Sequence, residues 1–211
     1  MTDTRAGRTR ARVAALLLCG ALTPPTGGCT MSDHPNESPT VAGEDKVALI
    51  DGLRDKGSFE EERRRLNDTA TVIAERIVAA VPGQTWRVTD DPNVLTLNRN
   101  GQSCDDLTAD IARRPSSDSV AFGRTFTADE FTTAVGIVRE EAARLGATEE
   151  SSLFDETAKR DFDVRGNGYE VNLGQITAAR LNITGGCRLL QSVLDLPPGQ
   201  LPPEPPIVPT P

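Results

Sequence analysis

The chain has 211 residues, with 23 Lys+Arg against 31 Asp+Glu, one His and four Cys, enough for one domain plus tails. At 37% hydrophobic and 26% charged residues it has the composition of a folded soluble domain, which excludes collagen-like chains and chains built of membrane spans. A single His excludes every site that needs two imidazoles and argues against Ser-His or Cys-His catalysis.

Residues 1–12 carry Arg5, Arg8, Arg10 and Arg12 against Asp3, and an apolar run over 13–22 precedes Gly27-Gly28-Cys29. A basic start and an apolar run of about 10 residues read as an export signal, well short of the roughly 20 residues of a membrane-spanning helix. The small residues before Cys29 resemble the lipobox of bacterial lipoprotein precursors, whose Cys receives a diacylglyceryl thioether and becomes the mature N-terminus. Thr26 departs from the Leu, Val or Ile preferred there, and Pro24-Pro25 interrupt the run-in. The resemblance implies acyl chains such as palmitate on Cys29, and two or more chains suffice for stable anchoring. Cys19, behind Leu16-Leu17-Leu18, reads as a spare hydrophobe removed with residues 1–28. Cleavage before Cys29 leaves 19 Lys+Arg against 30 Asp+Glu, a net charge of −11. That charge disfavours nucleic acid as a partner and docking of the body on anionic headgroups. The expected location is the cell membrane, lipid-anchored and facing outside the cytoplasm. In that oxidising compartment Cys104 and Cys187 are the two thiols left, and they are expected to form a disulfide. It would close a loop of about 80 residues and stabilise the fold by roughly 4 kcal/mol in the chain-entropy model. A redox role would want CxxC spacing or a neighbouring His, and neither is present.

Residues 29–43, polar with Pro35, Pro39 and Gly43, read as a flexible tether that also holds the only His, His34. Over 44–81 the apolar spacing is helical, with Val47, Ile50 and Leu53 on one stripe and Phe59, Leu66, Ala70, Ile73, Ile77 and Val81 on another. Gly57 divides two helices, and Ser58 with Glu61 forms a capping-box pattern at the start of the second. Glu60 to Arg64 and Glu61 to Arg65 are i,i+4 pairs, so Arg63-Arg64-Arg65 read as a solvated helix face. Alternation over 85–89 and 94–98, joined through Asp90-Asp91-Pro92-Asn93, predicts a hairpin. Leu107 and Ile111 predict a short helix over 104–114, and alternation predicts a strand over 119–126. Thr127 with Glu130 caps a helix whose stripe, Phe131, Ala134, Val135, Val138, Ala142 and Leu145, ends at Gly146. Strands follow over 148–154, 160–165, 169–173 and 179–184, with a Gly166-Asn167-Gly168 turn and a bulge or bend at Gly174. This order predicts a two-layer α+β domain over 44–196, a mainly antiparallel sheet with helices packed on one face. The tail, 197–211, has eight prolines and reads as an extended spacer or as a strap over the domain.

No motif for nucleotide, metalloprotease or serine-hydrolase chemistry occurs. Asp161-x-Asp163-x-Arg165-Gly166 begins like a calcium loop but has Asn172 at the twelfth position, where a bidentate Glu belongs, so it reads as a hairpin. Asp105, Asp106 and Asp110 read as acids near a helix N-terminus. Trp86 and Tyr169 read as core or rim packing. The blocks Pro82-Gly83-Gln84-Thr85-Trp86, Thr108-Ala109-Asp110-Ile111-Ala112-Arg113-Arg114-Pro115, Gly166-Asn167-Gly168-Tyr169-Glu170 and Leu181-Asn182-Ile183-Thr184-Gly185 resemble the LppA/LppB family of mycobacterial lipoproteins, as do 193–197 and 199–206. The resemblance runs from about residue 29 to the end. It implies an envelope lipoprotein with Cys29 acylated and carries no catalytic residue over. The expectation is therefore a non-enzymatic membrane-anchored protein, without cofactor or metal, that binds a small hydrophobic or envelope-derived ligand between helices and sheet. The alternative is an interaction or structural protein that engages an envelope protein, and a carboxylate-dependent hydrolase is the third reading.

Overall fold

The structure, a computed structural model, describes residues 43–154, 156 and 159–203; the signal segment, Cys29, His34 and the tail beyond Pro203 lie outside them. Helix α1 (Gly43–Asp51) and a 3-10 turn (Arg54–Lys56) lead to α2 (Phe59–Ala80). Ser58 opens α2 by accepting the Glu61 amide at 3.2 Å, which satisfies one of the donors a helix start leaves unpaired. Then come β1 (Trp86–Val88), α3 (Pro92–Asn100), β2 (Gln102–Ser103), β3 (Ala112–Arg114) and β4 (Val120–Phe122). Helix α4 (Ala128–Arg144) starts on the predicted capping box: Thr127 Oγ1 accepts the Glu130 amide at 3.4 Å and Glu130 Oε2 accepts the Thr127 amide at 2.8 Å. The chain ends in β5 (Glu149–Ser151), β6 (Arg160–Gly166), β7 (Tyr169–Gln175), β8 (Ala179–Thr184), β9 (Arg188–Leu189) and the one-turn α5 (Gln191–Leu194).

Six strands form an antiparallel sheet in the order β1-β4-β8-β7-β6-β5. Alternating residues of β6, β7 and β8, among them Val164, Val171, Leu173, Leu181 and Ile183, are fully buried against Leu66, Ile73 and Ile77 of α2 and Ala134 and Val138 of α4. The period-2 and period-3.6 stripes thus meet in one core, and the fold is two-layer α+β. The Gly-Asn-Gly turn joins β6 to β7, with Asn167 at φ 49° and Gly168 at φ 79°, conformations that Asn and Gly adopt at low cost. The strands β2, β3 and β9 form a second, three-stranded sheet over a separate small core of Ile50, Leu107, Ile111, Ala112, Leu189 and Val193.

Four local expectations are corrected. Residues 94–98 are helical, because Asp91 accepts the Asn93 amide at 2.9 Å and Pro92 stands at the first helical position; an N-cap and a Pro preset for helix outweigh the β-like alternation. Residues 104–114 are not a helix: Gln102 and Ser103 pair with Arg114 and Arg113, so 104–111 form the loop of a hairpin and 112–114 its second strand, and the loop holds a tight turn in which the Thr108 carbonyl accepts the Ile111 amide at 2.9 Å. Gly174 neither bulges nor bends the ladder; it pairs in register with Asp161 and Arg180. The arginine run is not simply solvated either. Arg63 reaches Asp118 at 2.5 Å, and Arg65 pairs with Glu62 at i,i−3 instead of with Glu61.

Candidate functional site

The interior between α2, α4 and the large sheet is filled, with Leu66, Ile73, Ala74, Ile77, Val138, Val171, Leu173 and Leu181 all at 0% exposure. These side chains pack against one another there. An apolar concavity lies on the small core. It is a half-open groove of about 290 Å³ between Ala48, Leu49, Gly52 and Leu53 of the α1 side and residues 104–107, with Cys187 completing the wall.

Three constraints build this groove. Cys104 and Cys187 are joined, with Cα atoms 5.9 Å apart, which ties the hairpin loop to the start of β9. β3 and β9 pair through Ala112↔Leu189 and Arg113↔Arg188, and Leu190 donates its amide to Ile111 O at 2.9 Å. On the α1 side, Ile50 is buried in the small core while Leu49 and Leu53 are partly buried against it. The same helix therefore sinks one residue and leaves its neighbours as groove wall, as expected for a stripe about 100° wide. Arg54 fixes the end of this wall by donating to the carbonyls of Leu194 (3.1 Å), Leu196 (2.8 Å) and Pro197 (3.2 Å) while pairing with Asp51 at 2.8 Å.

The rim is acidic. Asp105 and Asp106 line the groove, both exposed, and neither makes a hydrogen bond or ion pair among the described residues. A smaller cleft of about 200 Å³ is lined by Lys46, Thr108, Asp110, Ile111 and residues 201–203. Sequence reasoning placed Asp105, Asp106 and Asp110 at a helix start; the structure puts Asp105 and Asp106 at the charged edge of an apolar wall and Asp110 in the neighbouring cleft. The adjacency of Leu107 to Asp105-Asp106 was the available signal, read there with the wrong period.

Beside the groove, a polar knot fastens α2 to β7 and β9. Arg65 and Arg188 both donate to the Tyr169 hydroxyl, Arg188 at 3.0 Å. Glu62 accepts from Arg65 Nη2 at 2.6 Å and lies 3.9 Å from Arg188. Burial, followed by the nearby Glu62 carboxylate, pushes the Tyr169 phenol above its ordinary range, and the Glu62 hydrogen bond raises Arg65. Both shifts favour the charge states that hold the knot together at neutral pH, a neutral phenol and a cationic guanidinium.

Acid–base chemistry would call for two carboxylates in one cleft with pKa values pushed apart. The displaced acids Asp51, Asp90, Glu130, Glu140 and Glu150 are all moved downward, in each case chiefly by hydrogen bonding to an arginine. Among the described residues no group of three or more His, Cys, Asp or Glu side chains is placed to hold a metal ion, and no helix is long and apolar enough to cross a membrane. What the site offers is an apolar wall, a disulfide and an unpaired acidic edge, a surface suited to contact.

Comparison with known proteins places this architecture. Residues 35–191 match the model of the LppA family, described as a lipoprotein confined to pathogenic Mycobacterium. The chain is 61% identical over 199 residues to the proposed lipoprotein LppA of Mycobacterium tuberculosis strains CDC 1551 and H37Rv, covering 94% of this chain and 91% of that protein. It is 59% identical to the proposed lipoprotein LppB of the same strains, covering 94% and 90%. The crystal structure of M. tuberculosis LppA superposes with a TM-score of 0.75 at 62% identity, covering 80% of this chain and all of that one. A filled two-layer core with a small disulfide-bearing lobe is thus the architecture of a chain that belongs to the LppA family of mycobacterial lipoproteins.

Proposed function

We propose that this protein is a lipid-anchored binding module of the cell envelope, acting by contact and not by chemistry. Residues 1–28 serve as the export signal, acyl chains on Cys29 hold the protein to the membrane facing away from the cytoplasm, and residues 29–43 tether a single domain over 44–196. An extended tether of that length reaches at most about 50 Å from the membrane. The observation that carries the binding reading is the half-open apolar groove of about 290 Å³ beside the disulfide, near the lower bound of about 300 Å³ for ligand sites.

Two experiments test it. Cys29→Ser should move the protein from the membrane fraction to the soluble fraction; retention at the membrane would refute the anchor. The Cys29→Ser protein, exported and folded in a mycobacterial host, is then compared by native and denaturing mass spectrometry. Extra mass seen only under native conditions, and lost with Leu53→Lys, supports the groove as a site for a small apolar ligand. Extra mass indifferent to Leu53→Lys refutes that location, and a bare mass in both forms moves the reading to a macromolecular partner.

A further inference from the structure

Resting on the groove as the binding surface, we infer that its occupant is a basic peptide segment of a partner protein, one bulky apolar side chain flanked by lysine or arginine. Shape carries the first half. A groove of about 290 Å³ that is open on one side would leave much of a free small molecule in water, whereas well-formed sites bury most of a ligand's surface. A single side chain from a chain passing across needs only the apolar wall of Leu49, Leu53, Leu107 and the disulfide.

Charge carries the second half. The groove lining has two carboxylates, Asp105 and Asp106, and no cation. Neither is engaged among the described residues, so both charges are available to a partner. Asp45, also exposed, precedes Ala48 and Leu49 by one helical turn and so shares their face of α1. The nearby positive charges are Lys46, which lines the neighbouring cleft, Lys56, Arg54, which is paired with Asp51, and Arg65 and Arg188, which share Glu62. Exposed carboxylates around an apolar wall select a cationic partner and speed its encounter. The same field disfavours other occupants: an anionic headgroup, a fatty acid, or a second copy of this acidic chain.

The test uses the soluble Cys29→Ser protein and a fluorescent nine-residue peptide with one central phenylalanine and four flanking lysines. Its comparators carry glutamate for lysine or alanine for phenylalanine, and decanoate and decylamine stand for small ligands. Anisotropy gives affinity, and amide shifts of residues 48–53 and 104–107 give location. The lysine peptide is expected to bind at least about tenfold more tightly than either comparator peptide, and less tightly as salt rises. Asp105→Asn with Asp106→Asn should weaken it about fivefold, the scale of two exposed ion pairs, and flatten the salt dependence. These exposed positions are not needed for folding. The equal charge change Glu75→Gln with Glu149→Gln, away from the groove, should leave affinity unchanged. Equal weakening by that control, or equal binding of the glutamate peptide, overturns the inference. So does concentration-dependent dimerisation through the groove amides, which would name a second copy. If decanoate or decylamine shifts the groove amides and no peptide does, the peptide inference falls and the groove reading stands. If nothing shifts them, both fall.

Discussion

Replacing Cys104 and Cys187 together by Ala isolates what the disulfide does to the groove. The bridge closes a sequence separation of 83 residues. In the chain-entropy model a 15-residue loop is worth about 3 kcal/mol and a 100-residue loop about 4.7, so this one should contribute roughly 4.5 kcal/mol. With a urea dependence of about 2 kcal/mol per molar for a domain of this size, the midpoint should fall by about 2 M. The loss should be uneven across the structure. β2 and β9 are two residues long and β3 is three, too short to hold a sheet by themselves, whereas β6 and β7 pair over seven residues on a filled core. In the double variant, amides of 104–114 and 188–194 should exchange much faster than those of β6, β7 and β8 under native conditions. A midpoint shift under about 0.5 M, or protection lost equally in both sheets, would refute the view that the bridge is the main constraint on the small lobe.

Leu181→Ala removes a fully buried side chain at the centre of β8, between β4 and β7, and should destabilise by about 2–5 kcal/mol in urea unfolding; under about 1 kcal/mol would mean that the core collapses around the gap. Glu130 carries a pH signature. Arg124, followed by the Thr127 amide, lowers its carboxyl from 4.5 to about 2, so its folded-state contribution is complete above about pH 4.5 and is lost as pH falls towards 2. Glu130→Gln should therefore destabilise at pH 7 and progressively less as pH falls from about 4.5 towards 2, and a penalty that does not shrink with acid would refute the assignment.

The large sheet was legible because its signals are local and agree with one another. The Thr127/Glu130 capping box, the Gly-Asn-Gly turn and the period-2 runs of 160–184 each point to the element found. The small lobe was not legible, because long-range constraints decide it. Leu107 and Ile111 stand four apart, yet the pairing of Gln102 and Ser103 with 113–114 and the tie of Cys104 to Cys187 pull that stretch into a loop, and tertiary pairing overrides a short apolar period. Asp91-Pro92 suits a turn and a helix start alike, an ambiguity that only the following residues' amides resolve. The groove follows from the same cause: Leu49, Leu53, Leu107, Asp105 and Asp106 belong to segments some 50 residues apart, so no window along the chain contains the site.

Helix α1 has nine residues, fewer than the roughly 12–15 at which isolated helices become even marginally stable, so its position must come from its neighbours. On one side the small core holds Ile50. On the other, Arg54 grips three carbonyls of 194–197 and Asp51 accepts the Gly199 amide at 3.1 Å. Residues 194–199 thus form a strap along α1, and one guanidinium supplies most of its polar contacts there. Arg54→Ala should release 197–203, seen as protease cleavage within that stretch, and loosen α1 so that amides of 46–53 exchange faster while β6, β7 and β8 keep their protection. Arg54→Lys should rescue little, since one ammonium cannot reproduce the planar fork of donors. If Arg54→Ala leaves α1 protected, the small core alone positions the helix and the groove wall does not depend on the tail. If the wall does loosen, occupancy of the groove and attachment of the strap are linked, because a ligand that binds only the ordered wall favours the strapped state by its differential affinity for the two.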